Sequence, residues 1–288
     1  MIGTMSKYYG MLTGLPDITL DGSKLVYSMK RLKEECDIAV SDSDKKLLAY
    51  YFLHADCMNL VKILKGNDSA LLPNGNYSAE ELNEVILLAR ESEGNNSRYP
   101  DFMLDFVRLY DVEGDKSDFI AEDSISLAYY QYAMKCRNQF IADWFTLNFN
   151  ITNVLTALLA RKYGWKVDEF VLGNDEIAEM LRISKAKDFD LGKEYAFIDD
   201  LMKIVDEQDP VQKEKKIDAF KWQWLDDKTF DDFFSLNALF AYVCKTDMLE
   251  RWELLDVEQG KATFTQIIEE LRGSAKVPEE FTVLTYQK

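Results

Sequence analysis

Apolar residues recur at the helical period of about 3.6 through almost the whole chain, and strand-like alternation is nearly absent. Leu82, Val85, Ile86 and Ala89 follow Ser78-Ala79-Glu80-Glu81, a Ser-x-x-Glu box that predicts a helix start. From Ile120 to Tyr163 neither proline nor glycine interrupts the periodic apolar positions. That stretch predicts one long helix, or two in near-continuity, closed by Gly164. Asp209-Pro210 parts a helix ending near Val205 from a short one of mixed charge. Asp226 to Asp256 predicts a further long helix, and Thr263 to Arg272 a final short one. Asn67 to Tyr77 and Gly94 to Ser97 carry the Asn, Gly, Ser and Pro of loops. The segment Phe281 to Thr285 alternates, but it is short and terminal, where fraying is common. The expected fold is all-α, with about ten helices.

Three segments share one pattern at nearly equal spacing. They begin at Asp56, Asn150 and Asp247, separated by 94 and 97 residues. Each has a polar residue, another three positions on (Asn59, Asn153, Glu250), and apolar residues at the seventh and eighth positions after the first. On a helix these positions share a face. Repeats of this length exceed those of short-repeat solenoids and predict three helical sub-bundles, approximately 1–95, 96–185 and 186–288. Asp56, Asn59, Asn150, Asn153, Asp247 and Arg251 are the residues of this expected structural motif.

Composition narrows the function classes. The chain of 288 residues is 47% hydrophobic, enough for a substantial core, and carries a net charge of −17. That charge argues against nucleic-acid binding, which needs clustered Lys and Arg, and favours attraction to a basic partner surface. Cys36, Cys57, Cys136 and Cys244 lie singly in apolar helical contexts and read as reduced, buried residues. The N-terminus lacks a basic segment followed by an apolar run, and Leu147 to Ala160 is broken by Asn and Thr residues. A cytoplasmic protein, peripheral to any membrane through protein contacts, is expected.

Catalytic signatures are sparse. The chain has neither a Gly-x-x-x-x-Gly-Lys-Ser/Thr loop nor a Gly-x-Ser-x-Gly elbow. His54, the only histidine, excludes paired-histidine zinc and di-iron sites and reads as structural or surface-exposed. Asp226-Asp227-Lys228-Thr229-Phe230-Asp231-Asp232 superficially resembles the magnesium-binding segments of all-α isoprenoid synthases, with Asp227 and Asp231 four apart. Those enzymes use Asp-Asp-x-x-Asp, whereas this spacing is one longer, and no second metal motif accompanies it. An exposed first turn of a helix explains the cluster better, since acidic residues oppose the positive end of the dipole. The aromatic pairs and triplets, such as Tyr50-Tyr51-Phe52 and Trp222-Gln223-Trp224, read mainly as interhelical packing. No catalytic, cofactor or metal site is expected.

Asp56-x-x-Asn59-Leu60-x-x-Ile63-Leu64-Lys65 resembles the helix motif of the C-type central-stalk subunits of V/A-type rotary ATPases, whose eukaryotic members are the d-type subunits. Asn150 to Val154, followed by Arg161-Lys162 and Gly164, is similar to that family's next repeat. Tyr8-Tyr9-Gly10-Met11-Leu12, Leu15-Pro16 and Leu249-Glu250-Arg251-Trp252 resemble a divergent bacterial branch of it. The chain differs at Asn150, where Asp or Glu is usual, and at Glu250, where Asn is usual. The resemblance implies a funnel of three helical bundles on the cytoplasmic face of the membrane rotor ring, receiving the tip of the central shaft. It implies torque transmission for proton or sodium transport, without catalysis or cofactor. A helical interaction adaptor unrelated to rotary ATPases fits the same patterning, and a magnesium-dependent enzyme using Asp227 and Asp231 is the remaining alternative.

Overall fold

The computed structural model describes residues 8–20, 27–67, 71–91, 98–114, 116, 119–193, 195 and 197–274, the part from 256 onward as backbone alone. Among these residues the fold is all-α, with eleven helices and no strand. They are α1 (Tyr9–Gly14), α2 (Met29–Ala39), α3 (Asp42–Leu64), α4 (Ala79–Glu91), α5 (Asp101–Glu113), α6 (Ala121–Ala133), α7 (Gln139–Tyr163), α8 (Glu176–Ile183), α9 (Ile198–Val205), α10 (Pro210–Thr229) and α11 (Leu236–Ser274).

Local chemistry sets the helix ends. The Ser78–Glu81 box closes in both directions: the Ser78 N–H donates to Glu81 Oε2 at 3.0 Å and the Glu81 N–H to Ser78 Oγ at 3.2 Å. All four apolar positions expected to face inward on α4 are buried. Asn138 caps α7 by accepting the Ile141 N–H at 3.1 Å, which divides the expected 120–163 stretch into α6 and α7. Gly164 ends α7 at φ 72°, freeing the Trp165 N–H to reach the Ala160 carbonyl at 2.8 Å. Asp209 caps α10 through the Val211 and Gln212 N–H groups, with Pro210 at the first helical position.

The C-terminal third differs from expectation. The helix after Pro210 is long, twenty residues, and ends at Thr229. No helix runs unbroken from Asp226 to Asp256. The chain turns at 230–235, and Ser235 Oγ accepts the Asn237 and Ala238 N–H groups to begin α11. The expected separate helix at Thr263 to Arg272 is part of α11, which runs through Gly260. Asp226 and Asp227 therefore lie in the last turn of α10, at its negative end, and Asp231 and Asp232 in the following turn. Lys245 on α11 compensates by donating to Asp226, and Gln223 donates to Asp227 at 2.8 Å. The loop expected at Gly94 to Ser97 and the alternating tail lie outside the described residues.

One core links the elements. α3 packs against α4, α6 and α11, while α7 packs against α6, α8, α9 and α11. α10 lies on α9 and α11, and α2 on α11. α3 is long and apolar enough by mean hydropathy, 1.2, to cross a membrane, but half of that window is buried within this fold. Its buried Asp56 and Asn59 are bonded to an adjoining loop, as befits a core helix. All four cysteines are buried and unbridged. Tyr8, Phe52, Tyr129 and Trp222 are buried, whereas Tyr9 and Phe233 are exposed.

Candidate functional site

The repeated polar residues hold loops. On α3, the Asn59 amide faces the backbone of Leu72 squarely: Nδ2 donates to the Leu72 carbonyl at 3.0 Å and Oδ1 accepts the Leu72 N–H at 2.6 Å. On α7, Asn153 does the same to Leu172, at 2.9 and 3.0 Å. Both amides are buried, and each satisfies one donor and one acceptor of the loop packed against it. On α11 the expected third position is Glu250, which makes a different contact. Glu250 Oε1 accepts the Met29 N–H at 2.6 Å, tying α11 to the start of α2. A carboxylate cannot donate, so its grip is one-sided. Burial raises the Glu250 pKa, against the opposing effect of that bond.

Asp56, one turn before Asn59, is fully buried. Its carboxylate accepts the Asn76 N–H at 2.9 Å, Asn76 Nδ2 at 2.8 Å and the Tyr77 N–H at 3.0 Å. Burial raises its pKa, opposed by these bonds and by Lys33, whose ammonium donates to the Asn74 and Gly75 carbonyls. A Cβ on Gly75 would come within 2.4 Å of Asp56 Oδ1, so this turn requires glycine for its close approach. Asn150, at the corresponding place on α7, is buried, but among the described residues no hydrogen bond ties it to the next loop. There Arg182 binds the loop instead, donating to the Val171 and Gly173 carbonyls, both at 2.7 Å.

A cavity of about 520 Å³ opens where α3, α7 and α11 approach. Tyr51 and His54 reach it from α3, Trp144 and Asn148 from α7, and Asp247 and Arg251 from α11. Tyr51, Phe52, Tyr129, Tyr130, Trp144 and Phe145 form its aromatic part, with charges gathered on the α10–α11 side. Arg251 donates to Glu214 at 2.8 Å and to both oxygens of Asp218 at 3.0 and 3.1 Å, and lies 3.3 Å from Asp247. Trp252 Nε1 adds a bond to Asp218 at 2.9 Å. Burial alone would lower the Arg251 pKa, but Asp218 and Asp247 outweigh it and the net shift is upward. Lys221, also on the cavity wall, is lowered by burial despite nearby Asp218. His54 is solvent-exposed, and partial desolvation at the cavity lowers its pKa, with Asp247 opposing.

Of the residues expected from the repeat, Asp247 and Arg251 therefore meet at the cavity, while Asp56, Asn59 and Asn153 secure loops. Sequence reasoning passed over Asp218, although its place one turn before buried Trp222 and two before Leu225 put a carboxylate on an apolar stripe. Asp227 and Asp231 do not join this cluster, and among the described residues no group of three His, Cys, Asp or Glu could hold a metal ion.

Residues 5–274 match the family described as "Protein of unknown function (DUF2764)". The chain belongs to this family. Neither a curated protein nor a solved structure matches it. The match takes in α3, α7 and α11 at the cavity and both asparagine-held loops.

Proposed function

We propose that this chain is a non-catalytic, C-type central-stalk component of a V/A-type rotary ATPase, a socket between the central shaft and the membrane rotor ring. The observation that carries the proposal is the recurrence of one unusual device: Asn59 and Asn153, 94 residues apart, each clamp the backbone of a leucine in the following loop. Two long helices with the same polar insertion and the same loop grip support duplication of a helical unit. Asp247 and Glu250 at the expected third position on α11 extend the pattern in weakened form. In this reading the thirds 1–95, 96–185 and 186–288 are three bundles arranged as a funnel.

The protein lies on the cytoplasmic face of the membrane, held there by protein contacts, and its partners are the shaft proteins and the rotor ring. The net charge of −17 speeds association with basic partner surfaces, and salt weakens exposed contacts because the Debye length is about 8 Å at physiological ionic strength. Purification of the tagged chain from its native membranes should recover components of the ATPase at low salt and fewer at high salt. If none accompanies it at either salt concentration, the socket assignment fails and an unrelated helical adaptor becomes the better account.

A further inference from the structure

A second concavity lies away from the cavity between the long helices. It has a volume of about 980 Å³ and is bounded by the last turns of α7 and α9 and by the segment 184–187. Its apolar floor includes Leu158 and Met202. Its rim carries Arg161, Lys162, Lys185, Lys187 and Lys203 with Asp199 and Asp206; Lys203 pairs with Asp200 at 2.9 Å and Lys162 lies 3.9 Å from Asp206, so the uncompensated positive charge is that of Lys185 and Lys187.

The rim is built rather than incidental. Arg161 donates to the Ser184 and Ala186 carbonyls, and its guanidinium lies 3.5 Å from the centre of the buried Phe189 ring. This fixes to α7 the segment that carries Lys185 and Lys187. Those two lysines are exposed and have no ion-pair partner among the described residues. Lys162 donates to the Val205 carbonyl at 3.2 Å, joining the ends of α7 and α9 across the floor.

The surroundings also discriminate among anions. The terminal nitrogens of Arg161 are engaged with carbonyls, so no open guanidinium fork awaits a phosphate. A bilayer surface is too flat to enter a groove. Carboxylates spaced along a helix can instead meet the lysines singly while an apolar stripe covers Leu158 and Met202.

We propose that this groove is a docking site for an acidic amphipathic helix of a partner protein. The net negative surface elsewhere repels such a helix, so the groove fixes both its place and its register. The inference is independent of the rotor-socket reading, because it depends on this groove alone.

Fluorescence anisotropy with the full chain and a labelled Leu/Glu amphipathic peptide of about five helical turns tests it. The expected result is binding at about 10–100 μM, weakened at least about tenfold by Lys185→Glu with Lys187→Glu and reduced by salt. Met202→Asp, on the floor, should also weaken binding, and thermal melts identify any variant that loses its fold. A peptide of the same composition with its apolar stripe scrambled should bind at least about tenfold more weakly. Equal binding of the scrambled peptide, or no effect of the double lysine reversal, overturns the proposal. So does preferential binding of pyrophosphate or phosphatidylserine vesicles over the amphipathic peptide.

Discussion

The loops held by α3 and α7 are fixed by the same amide and by different companions. Asn59 and Asn153 each make a two-bond pairing with a leucine backbone. Around Asn59, a buried carboxylate adds three bonds through Asp56, and Lys33 grips the neighbouring carbonyls. Around Asn153, the place of Asp56 is taken by neutral Asn150, and Arg182 reaches the loop from α8 instead. The difference teaches that the amide is the common part of the device, while charge is added according to the groups the loop leaves unsatisfied. In the first loop two N–H groups, of Asn76 and Tyr77, turn toward α3 and need an acceptor. In the second, two carbonyls turn toward α8 and need a donor.

The largest test of this contrast is Asp56→Ala beside Asn150→Ala. Removing Asp56 strands three donors and leaves Lys33 without its carboxylate, an expected loss of about 3–5 kcal/mol in urea unfolding. Asn150→Ala should cost less than about 2 kcal/mol, because no loop group depends on it. Equal losses would mean that the two loops do not differ as their bonds indicate.

Asn59→Leu and Asn153→Leu probe the shared part. Each removes the partner of one N–H and one carbonyl of a part-buried loop, so each should destabilise by about 1–3 kcal/mol. The two loops have separate partners, and the double variant should be additive within about 0.5 kcal/mol. Unchanged melting midpoints would show that these amides are dispensable.

The smallest effect belongs to the cavity rather than to the loops. His54 is solvent-exposed, so the desolvation that lowers its folded-state pKa below the ordinary 6.5, with Asp247 opposing and Arg251 assisting, is only partial. The unfolded chain then takes up the proton first as pH falls, so the stability associated with neutral His54 is present above 6.5 and lost below it. His54→Gln should flatten the stability profile in the window just below pH 6.5. An unaltered slope in chemical unfolding between pH 7 and pH 5 would rule out this contribution.

Much of the helical content was legible because period, caps and punctuation agree locally. Ser78, Glu81, Gly164 and Asp209-Pro210 mark boundaries with chemistry that acts within one turn. The turn at 230–235 was not legible, since Phe230-Asp231-Asp232-Phe233-Phe234 contains neither glycine nor proline. Ser235 can cap a helix there, but nothing local requires it. α11 lies back along α10 and brings Lys245 to Asp226, and that packing favours the break over one continuous helix. The same limit applied to the break expected between Asp256 and Thr263, which lies inside α11.

The sequence by itself determined that the protein is helical, which faces of its helices are buried, and that polar residues recur on three of those faces. Helical period and capping are short-range properties, so neighbouring residues suffice to specify them. The tertiary structure alone decided what those polar residues hold: Leu72 for Asn59, Leu172 for Asn153 and the start of α2 for Glu250. It also brought Asp218 to Arg251, 33 residues away, and Lys185 and Lys187 to the end of α9. A buried amide or carboxylate must be satisfied, but its side chain carries no address for the partner. Chain reversal and packing supply that address by deciding which backbone groups are shut away from water beside it.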